Sequence, residues 1–251
     1  WLAVTLPETY LVALSLGLYG LLVKADDLLR SHERLAALGL LCFAIVFPLG
    51  IVMLGKSVVY DAHRHVLFVL PLIAALTGWL VAEALPLLRR RTLQLATCAT
   101  LLFLAGLTAI DMARLHPYEY VFINRSFGGL PAARDYLETE YWGASYREGL
   151  AWLLEDLKDK HARRARVSWC TRWIPLRYYL SQWPGAADQI ELADAGAPAD
   201  YYLSRTASSC RRREGEVVYT VSREGVPFLQ VVKSPPVARA ERAARAGQTT
   251  H

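Results

Sequence analysis

The sequence lacks the short motifs that mark the common phosphate, metal and nucleophile sites. It has no P-loop, no dinucleotide-binding glycine pattern and no nucleophile elbow, and its cysteines and histidines do not have zinc-ligand spacing. These absences exclude the enzyme classes that such motifs define. No metal site and no cofactor are predicted from these residues, and a divalent metal in the full-length protein stays open.

Charged residues are also scarce. They make up only 20% of the 251 residues, whereas 54% are hydrophobic, above the roughly 45–50% usual in soluble domains. The net charge is +5, but the basic residues are scattered rather than gathered with aromatic residues on one face. The sequence therefore predicts no nucleic-acid partner.

The chain has no initiator methionine, and its apolar start lacks the charged n-region of a signal peptide. We therefore expect it to be the C-terminal part of a longer protein. Its apolar residues concentrate between Leu11 and Ile110, whereas most charged residues follow Ala113. This asymmetry indicates two parts that meet different solvents.

Four apolar runs in the first part predict membrane-spanning helices. Each approaches the roughly 20 residues that a helix needs to cross a hydrocarbon core of about 30 Å. The runs are apolar on all sides, whereas helices buried in a soluble protein would carry amphipathic stripes. Thr5 and Glu8 have capping-box spacing, which predicts that Glu8 begins the first helix. The predicted spans are approximately 5–23, 35–55, 66–85 and 93–110, within a membrane region 1–115.

The cations between these runs predict their orientation. Six Lys and Arg residues follow the first and third runs, whereas the loop after the second holds only Lys56 and Arg64. The positive-inside rule places the first and third loops in the cytoplasm, and residues 56–65 and the C-terminal half outside. We expect an integral protein of the bacterial inner membrane with an extracytoplasmic domain. The six cations are Lys24, Arg30, Arg34, Arg89, Arg90 and Arg91.

After Arg114 the pattern changes to short elements separated by turns, which is typical of an aqueous α/β domain. The predicted fold class is a membrane helical bundle followed by a small soluble α/β domain over 116–233, with a disordered tail at 234–251. Apolar residues from Tyr146 to Leu157 recur at helical spacing, behind a capping box formed by Ser145 and Glu148. Strands are predicted at 166–170, 189–192, 200–204, 216–222 and 227–233, the last two as a hairpin, and a helix at 176–182.

The four cysteines fall into two groups. Cys42 and Cys98 lie in membrane runs, where we expect inert core thiols. Cys170 and Cys210 lie in the domain predicted to be exported, where disulfides persist. They are therefore a candidate disulfide, and two unpaired thiols are the alternative because a bridge also needs Cα atoms within about 7 Å.

The loop after the second run carries the densest group of candidate binding residues, which are Lys56, Tyr60, His63, Arg64 and His65. An arginine presents a planar fork of donors to phosphate oxygens, and histidine or tyrosine can complete the shell. The group is therefore a candidate lipid-phosphate site. The alternative is interfacial anchoring, in which long cations reach towards the headgroups and tyrosine joins an aromatic belt.

Other polar residues receive no catalytic role. Asp61, Asp135, Glu138 and Glu140 show no pairing that specifies a general base, and we expect them to be solvated or to cap helices. Residues 124–126 match the N-glycosylation pattern, but a match over three residues is too short to assign a function.

Two stretches resemble a known family. Residues 60–71, YDAHRHVLFVLP, resemble the late outer-loop and helix segment of bacterial membrane glycosyltransferases related to the dolichyl-phosphate-mannose protein mannosyltransferases. Residues 116–124, HPYEYVFIN, with 138–148, ETEYWGASYRE, resemble the segment that joins the last helix of such proteins to a periplasmic domain. The resemblance covers roughly residues 1–160 in organisation, and these stretches carry its specificity.

The resemblance implies a GT-C-type enzyme that moves a sugar from a polyprenyl-phosphate carrier to an acceptor at the outer face. In that family the catalytic acid lies in the first outer loop, and this sequence contains no such loop. By analogy, Arg64 and its neighbours would touch the carrier phosphate. The implied partners are a polyprenyl-phosphate-linked sugar donor and membrane lipid, with the sugar and the acceptor unidentified.

Two other classes compete with this interpretation. The first is a membrane-anchored periplasmic module that binds or scaffolds a partner in an envelope complex. The second is a transporter component, but the apolar runs lack the buried acids and interrupted helices that mark ion-coupled sites.

Overall fold

The computed structural model describes residues 2–56, 64–159, 164–170, 176–195, 197–206, 210 and 214–235. The chain forms two compact units, here called the helical unit and the sheet unit. The helical unit comprises Trp1–Arg114 and Phe122–Gly129, and the sheet unit comprises Leu115–Val121 and Leu130–His251. The predicted tail lies outside the described residues except for Ser234 and Pro235.

Among its described residues, the helical unit has three helices that are long and apolar enough to cross a membrane: His32–Leu54, Val69–Leu87 and Arg91–Leu115. The first predicted run forms a shorter apolar helix of 16 residues. The helices of this unit are α1 Leu2–Thr5, α2 Glu8–Val23, α3 Ala25–Arg30, α4 His32–Leu54, α5 Val69–Ala84 and α6 Arg91–Leu115, with 3-10 turns at Arg64–Val66, Leu85–Leu87 and Arg125–Phe127.

The start of α2 corrects the predicted capping box. Pro7 is the N-cap residue and makes no side-chain cap bond, while Thr5 is the last residue of α1. Glu8 does begin α2, but its carboxylate accepts a hydrogen bond from the backbone N–H of Ser126 at 3.0 Å. Proline lacks the side-chain oxygen that a cap needs, so the spacing of Thr5 and Glu8 was misleading. Pro48 leaves α4 unbroken.

Helix α2 packs closely on α5 because small residues line the contact. Gly17 and Gly20 are buried on α2. A Cβ atom at Gly17 would overlap the Cβ of Leu80, and one at Gly20 would lie 2.6 Å from the Cβ of Ala84. Small residues allow helix backbones to approach in this way, and they are enriched where helices associate in membranes.

The sheet unit is built on a five-stranded mixed sheet in the order β2-β1-β3-β5-β4. Strand β1 pairs in parallel with β2 and β3, and β5 pairs antiparallel with β3 and β4. Every predicted strand boundary is confirmed to within one residue. The elements are β1 Ala165–Trp169, β2 Ile190–Leu192, β3 Tyr201–Arg205, β4 Glu216–Arg223 and β5 Val226–Lys233, with helices α7 Gly129–Ala133, α8 Ser145–Asp159, α9 Leu176–Ser181 and α10 Ala186–Gln189 and a 3-10 turn at Glu119–Val121.

Helix α8 covers β4 and β5 with its apolar face. The predicted apolar residues of this helix are all buried, and Trp152 stacks on Tyr219 with ring centroids 4.7 Å apart. The hairpin between β4 and β5 turns at Glu224 and Gly225, with φ angles of 50° and 76°. Two consecutive positive φ angles favour the type I′ turn, whose twist matches that of the flanking strands.

Candidate functional site

The predicted lipid-phosphate residues are only partly described. Tyr60 and His63 lie outside the described residues. Lys56 follows α4 as an exposed residue with a φ of 45°, and Arg64 and His65 are exposed in the 3-10 turn that precedes α5. All three described residues therefore lie in the connection between α4 and α5.

Apolar packing holds this connection at one end of the helix pair. Val66 is buried beside Ile45 of α4 and Val69 and Ile73 of α5. The second half of α4 thus contacts the first half of α5, so the two helices run antiparallel. Lys56 and Arg64 consequently lie at the same end of the pair.

The opposite end of the helical unit carries a different charge cluster. Glu83, near the end of α5, lies 3.1 Å from Nζ of Lys24 and 3.8 Å from Nη1 of Arg34. Two of the six predicted cytoplasmic cations therefore share one carboxylate, and Arg34 and Arg64 occupy opposite ends of the antiparallel pair.

The segment after α6 is hydrogen-bonded to the residues just before α2. This is the end of the helical unit that also carries the lipid-phosphate residues. The amide of Asn124 donates to the backbone oxygens of Ala3 and Leu6 at 2.8 and 2.9 Å, and its side chain is buried. Arg125 forms a bidentate pair with Asp111 of α6, at 2.7 and 2.6 Å. The side-chain nitrogen of Asn124, to which a glycan would be attached in the pattern at 124–126, is therefore buried and hydrogen-bonded in the folded protein.

The sheet unit contains a buried ion pair that the sequence did not indicate. Glu140 is 0% exposed and Arg205 is 8% exposed. Of the two roles expected for Glu140, a solvated residue or a helix cap, burial excludes the first. Arg205 Nη1 lies 3.6 Å from Oε2 of Glu140 and donates to its backbone oxygen at 2.9 Å. The Tyr120 hydroxyl donates to Oε1 at 2.7 Å. Such partners are what a buried carboxylate requires, since an unpaired charge is costly to desolvate.

Glu140 also caps α8. The backbone N–H groups of Gly143 and Ser145 point to its carboxylate at 3.1 and 3.5 Å. The predicted capping box is therefore wrong: Ser145 is the first residue of α8, and the Glu148 side chain bonds elsewhere. A carboxylate near a helix N-terminus is further stabilised by the helix dipole.

No protein-family model, curated protein or solved structure matches this chain. In the part of the chain that the structure describes, no group of three or more His, Cys, Asp or Glu side chains is placed to hold a metal ion. The chemistry available in the described residues is that of cations, carboxylates and aromatic hydroxyls.

The tyrosine hydroxyls around the ion pair act as hydrogen-bond donors. Burial raises the pKa of Tyr120, and the neighbouring charge of Glu140 raises it further. Burial also raises the pKa of Tyr146, whose hydroxyl lies 3.2 Å from Sγ of Cys170. Both phenols therefore stay protonated at neutral pH, which suits them to positioning rather than to proton abstraction.

The structure joins Cys170 and Cys210, the candidate pair, by a disulfide. Their Cα atoms are 5.3 Å apart, within the limit for a bridge. Cys170 directly follows β1, so the bridge fastens the carboxyl end of that strand to a residue that follows β3 in the chain. The linked residues are 40 positions apart, and closing such a loop stabilises the fold by roughly 4 kcal/mol in the chain-entropy estimate.

Glu148 is the centre of a second polar network. Its carboxylate accepts hydrogen bonds from Tyr118 at 2.8 Å, from Arg223 at 2.9 Å and from Tyr219 at 3.3 Å. Burial opposes ionisation, but these hydrogen bonds and the Arg223 charge outweigh it, so the pKa of Glu148 is lowered overall. These partners therefore stabilise the Glu148 side chain as its anion.

Proposed function

We propose that the chain is the C-terminal part of an integral-membrane glycosyltransferase that moves a sugar from a polyprenyl-phosphate carrier to an acceptor at the outer face. The observation that carries this proposal is the position of Arg64. It is an exposed arginine at the start of an apolar helix of spanning length, within the stretch that resembles the family. A guanidinium at the end of a membrane-spanning helix can chelate the phosphate oxygens of a lipid headgroup.

The surface of the helical unit supports its place in a membrane. Large apolar side chains are exposed along the long helices, such as Leu40, Phe43 and Met53 of α4 and Leu102 and Phe103 of α6. Water would penalise this surface by about 25 cal/mol per Å² of apolar area, whereas lipid would not. Lys24 and Arg34 then lie at the cytoplasmic end of the helical unit, and Lys56 and Arg64 lie at its outer end.

This topology predicts opposite labelling of two introduced cysteines. In a background without Cys42 and Cys98, Ser57→Cys should react with an impermeant maleimide in intact cells, because it follows the outer end of α4. Ser31→Cys, which precedes α4, should react only after lysis and serves as the matched control. Labelling at Ser57→Cys that requires lysis would reverse the proposed orientation.

The phosphate contact predicts a graded response at Arg64. Arg64→Ala should weaken the binding of undecaprenyl phosphate by roughly 1.5–3 kcal/mol, the range for hydrogen bonds to charged groups. Arg64→Lys should retain part of that affinity, because lysine keeps the charge but loses the planar fork. Affinity is measured by native mass spectrometry on the protein in nanodiscs, and turnover is measured on the full-length enzyme.

Arg90→Ala is the control for this experiment. Arg90 is an exposed cation at the opposite end of α5, so its removal changes net charge equally without touching the outer surface. If Arg64→Ala binds the carrier as tightly as the wild type, the cation is an interfacial anchor. That result would favour the alternative of a membrane-anchored extracytoplasmic binding module.

A further inference from the structure

A cleft of about 390 Å³ opens on the sheet unit. One wall is the segment Arg134–Thr139, and the other is formed by Thr206, Val226 and Pro227. Thr206 directly follows β3, whose neighbour β1 is parallel to it. Small-ligand clefts have volumes of roughly 300–1,000 Å³. The cleft lies where β3 ends and its antiparallel neighbour β5 begins.

The lining combines charged side chains with an aromatic ring. Arg134, Asp135 and Glu138 contribute one positive and two negative groups, so the lining has a surplus of negative charge. Arg134 Nε donates to Asp135 Oδ1 at 3.2 Å. Tyr136 lies between Asp135 and Glu138 in the same wall, and its side chain is 86% exposed. The surplus of carboxylates disfavours a phosphate or carboxylate ligand, and the charged lining disfavours an apolar one.

Both walls of the cleft are fastened by the buried ion pair. Glu140 follows Thr139 in the first wall, and Arg205 precedes Thr206 in the second. Arg205 Nη1 donates to the backbone oxygen of Glu140 at 2.9 Å, which joins the two walls at their base. Thr206 is held in turn, because its hydroxyl donates to the Pro227 oxygen at 2.6 Å. A cleft with such walls loses less entropy when a ligand binds.

We propose that this cleft binds an uncharged mono- or disaccharide. Tyr136 stacks on the C–H face of a pyranose ring, where the negative face of the aromatic ring attracts the polarised hydrogens. Asp135 and Glu138 accept hydrogen bonds from vicinal hydroxyls, and such bonds to ionised acceptors are the stronger kind. The site is independent of the proposed transferase activity, since it needs no carrier phosphate.

The test uses the whole chain in nanodiscs with methyl mannopyranoside, methyl glucopyranoside, mannobiose and cellobiose as probes. Saturation-transfer NMR and calorimetry should detect binding of at least one probe. Tyr136→Ala should weaken that binding roughly tenfold, whereas Tyr136→Phe should retain it because the ring remains. Asp135→Asn and Glu138→Gln should each weaken it without loss of folding, since both side chains are in a solvent-accessible wall.

Tyr178→Ala is the matched control, because Tyr178 is an exposed tyrosine of α9 that does not line the cleft. The Tyr178→Ala variant should bind the probes with the same affinity as the wild type. The proposal is overturned if no probe binds at millimolar concentration, if Tyr136→Ala binds as well as the wild type, or if Tyr178→Ala loses as much. A failed carrier-binding experiment at Arg64 would leave these outcomes unchanged.

Discussion

Replacing Arg205 with Met is expected to lower the free energy of unfolding of the sheet unit by about 3–5 kcal/mol, the cost of leaving one partner of a buried ion pair alone. Glu140 would then be a fully buried carboxylate without its cation. The total stability of a domain is only about 5–15 kcal/mol, so this loss is a large part of it. Hydrogen exchange of the β3 amides, followed by mass spectrometry on the whole chain, measures the change.

The double variant Glu140→Gln with Arg205→Met separates charge from packing. It removes both charges, while glutamine keeps an oxygen for the Tyr120 hydroxyl. It also removes Arg205 Nε, a buried atom that has no hydrogen-bond partner among the described residues. The double variant should therefore be more stable than Arg205→Met, because no buried charge is left without its partner.

A surface pair supplies the control. Arg166 and Glu191 bridge β1 and β2 at 3.5 Å, but both side chains are about half exposed, at 45% and 50%. Arg166→Met should therefore change the free energy of unfolding by about 0–1 kcal/mol. Equal protection of the β3 amides in Arg205→Met and in the wild type would contradict the structural role of the buried pair.

Gly17→Leu is expected to separate α2 from α5 and to destabilise the helical unit by about 1–3 kcal/mol, the usual cost of overpacking. The first side-chain atom would already overlap Leu80. Gly20→Leu should act in the same direction, since its Cβ would lie 2.8 Å from the Cα of Ala84, a backbone atom that cannot turn away. Thermal unfolding of the protein in detergent, followed by tryptophan fluorescence, measures both effects.

Gly78→Leu is the control for helix propensity and for added bulk. Gly78 lies on α5, and a Cβ atom placed there meets nothing within 4 Å. Leucine is also a better helix former than glycine, so this variant should be as stable as the wild type or slightly more stable. Similar melting temperatures for Gly17→Leu and Gly78→Leu would show that the α2–α5 contact is looser than the glycines indicate.

The sequence alone predicted most of the secondary structure. The strands and α8 were predictable because alternating or helically spaced apolar residues directly specify which face is buried. The hairpin was predictable because a glycine between two β-rich runs marks a tight turn. Helix boundaries were less accurate: α6 extends to Leu115 rather than ending near Ile110, because an apolar run marks the part of a helix suited to lipid and not where the backbone helix ends.

The polar interior was not predictable in the same way. Glu140 and Arg205 are 65 positions apart in sequence, and neither belongs to a spacing pattern that distinguishes a buried charge from a solvated one. The available signal was an arginine directly after the strand predicted at 200–204, since a cation that folding buries there requires a carboxylate. That signal does not identify the carboxylate, because the tertiary fold decides which acidic residue lies next to the arginine.

The sequence by itself determined the two-part organisation, the apolar helices, the strands and the cation at Arg64. Composition and periodicity are local properties, and they directly determine which residues favour water and which favour an apolar environment. Only the tertiary structure decided the Glu140–Arg205 pair, the close α2–α5 contact and the cleft beside Tyr136. Each of these joins residues far apart in the chain, and their energies depend on distances and burial that exist only after folding.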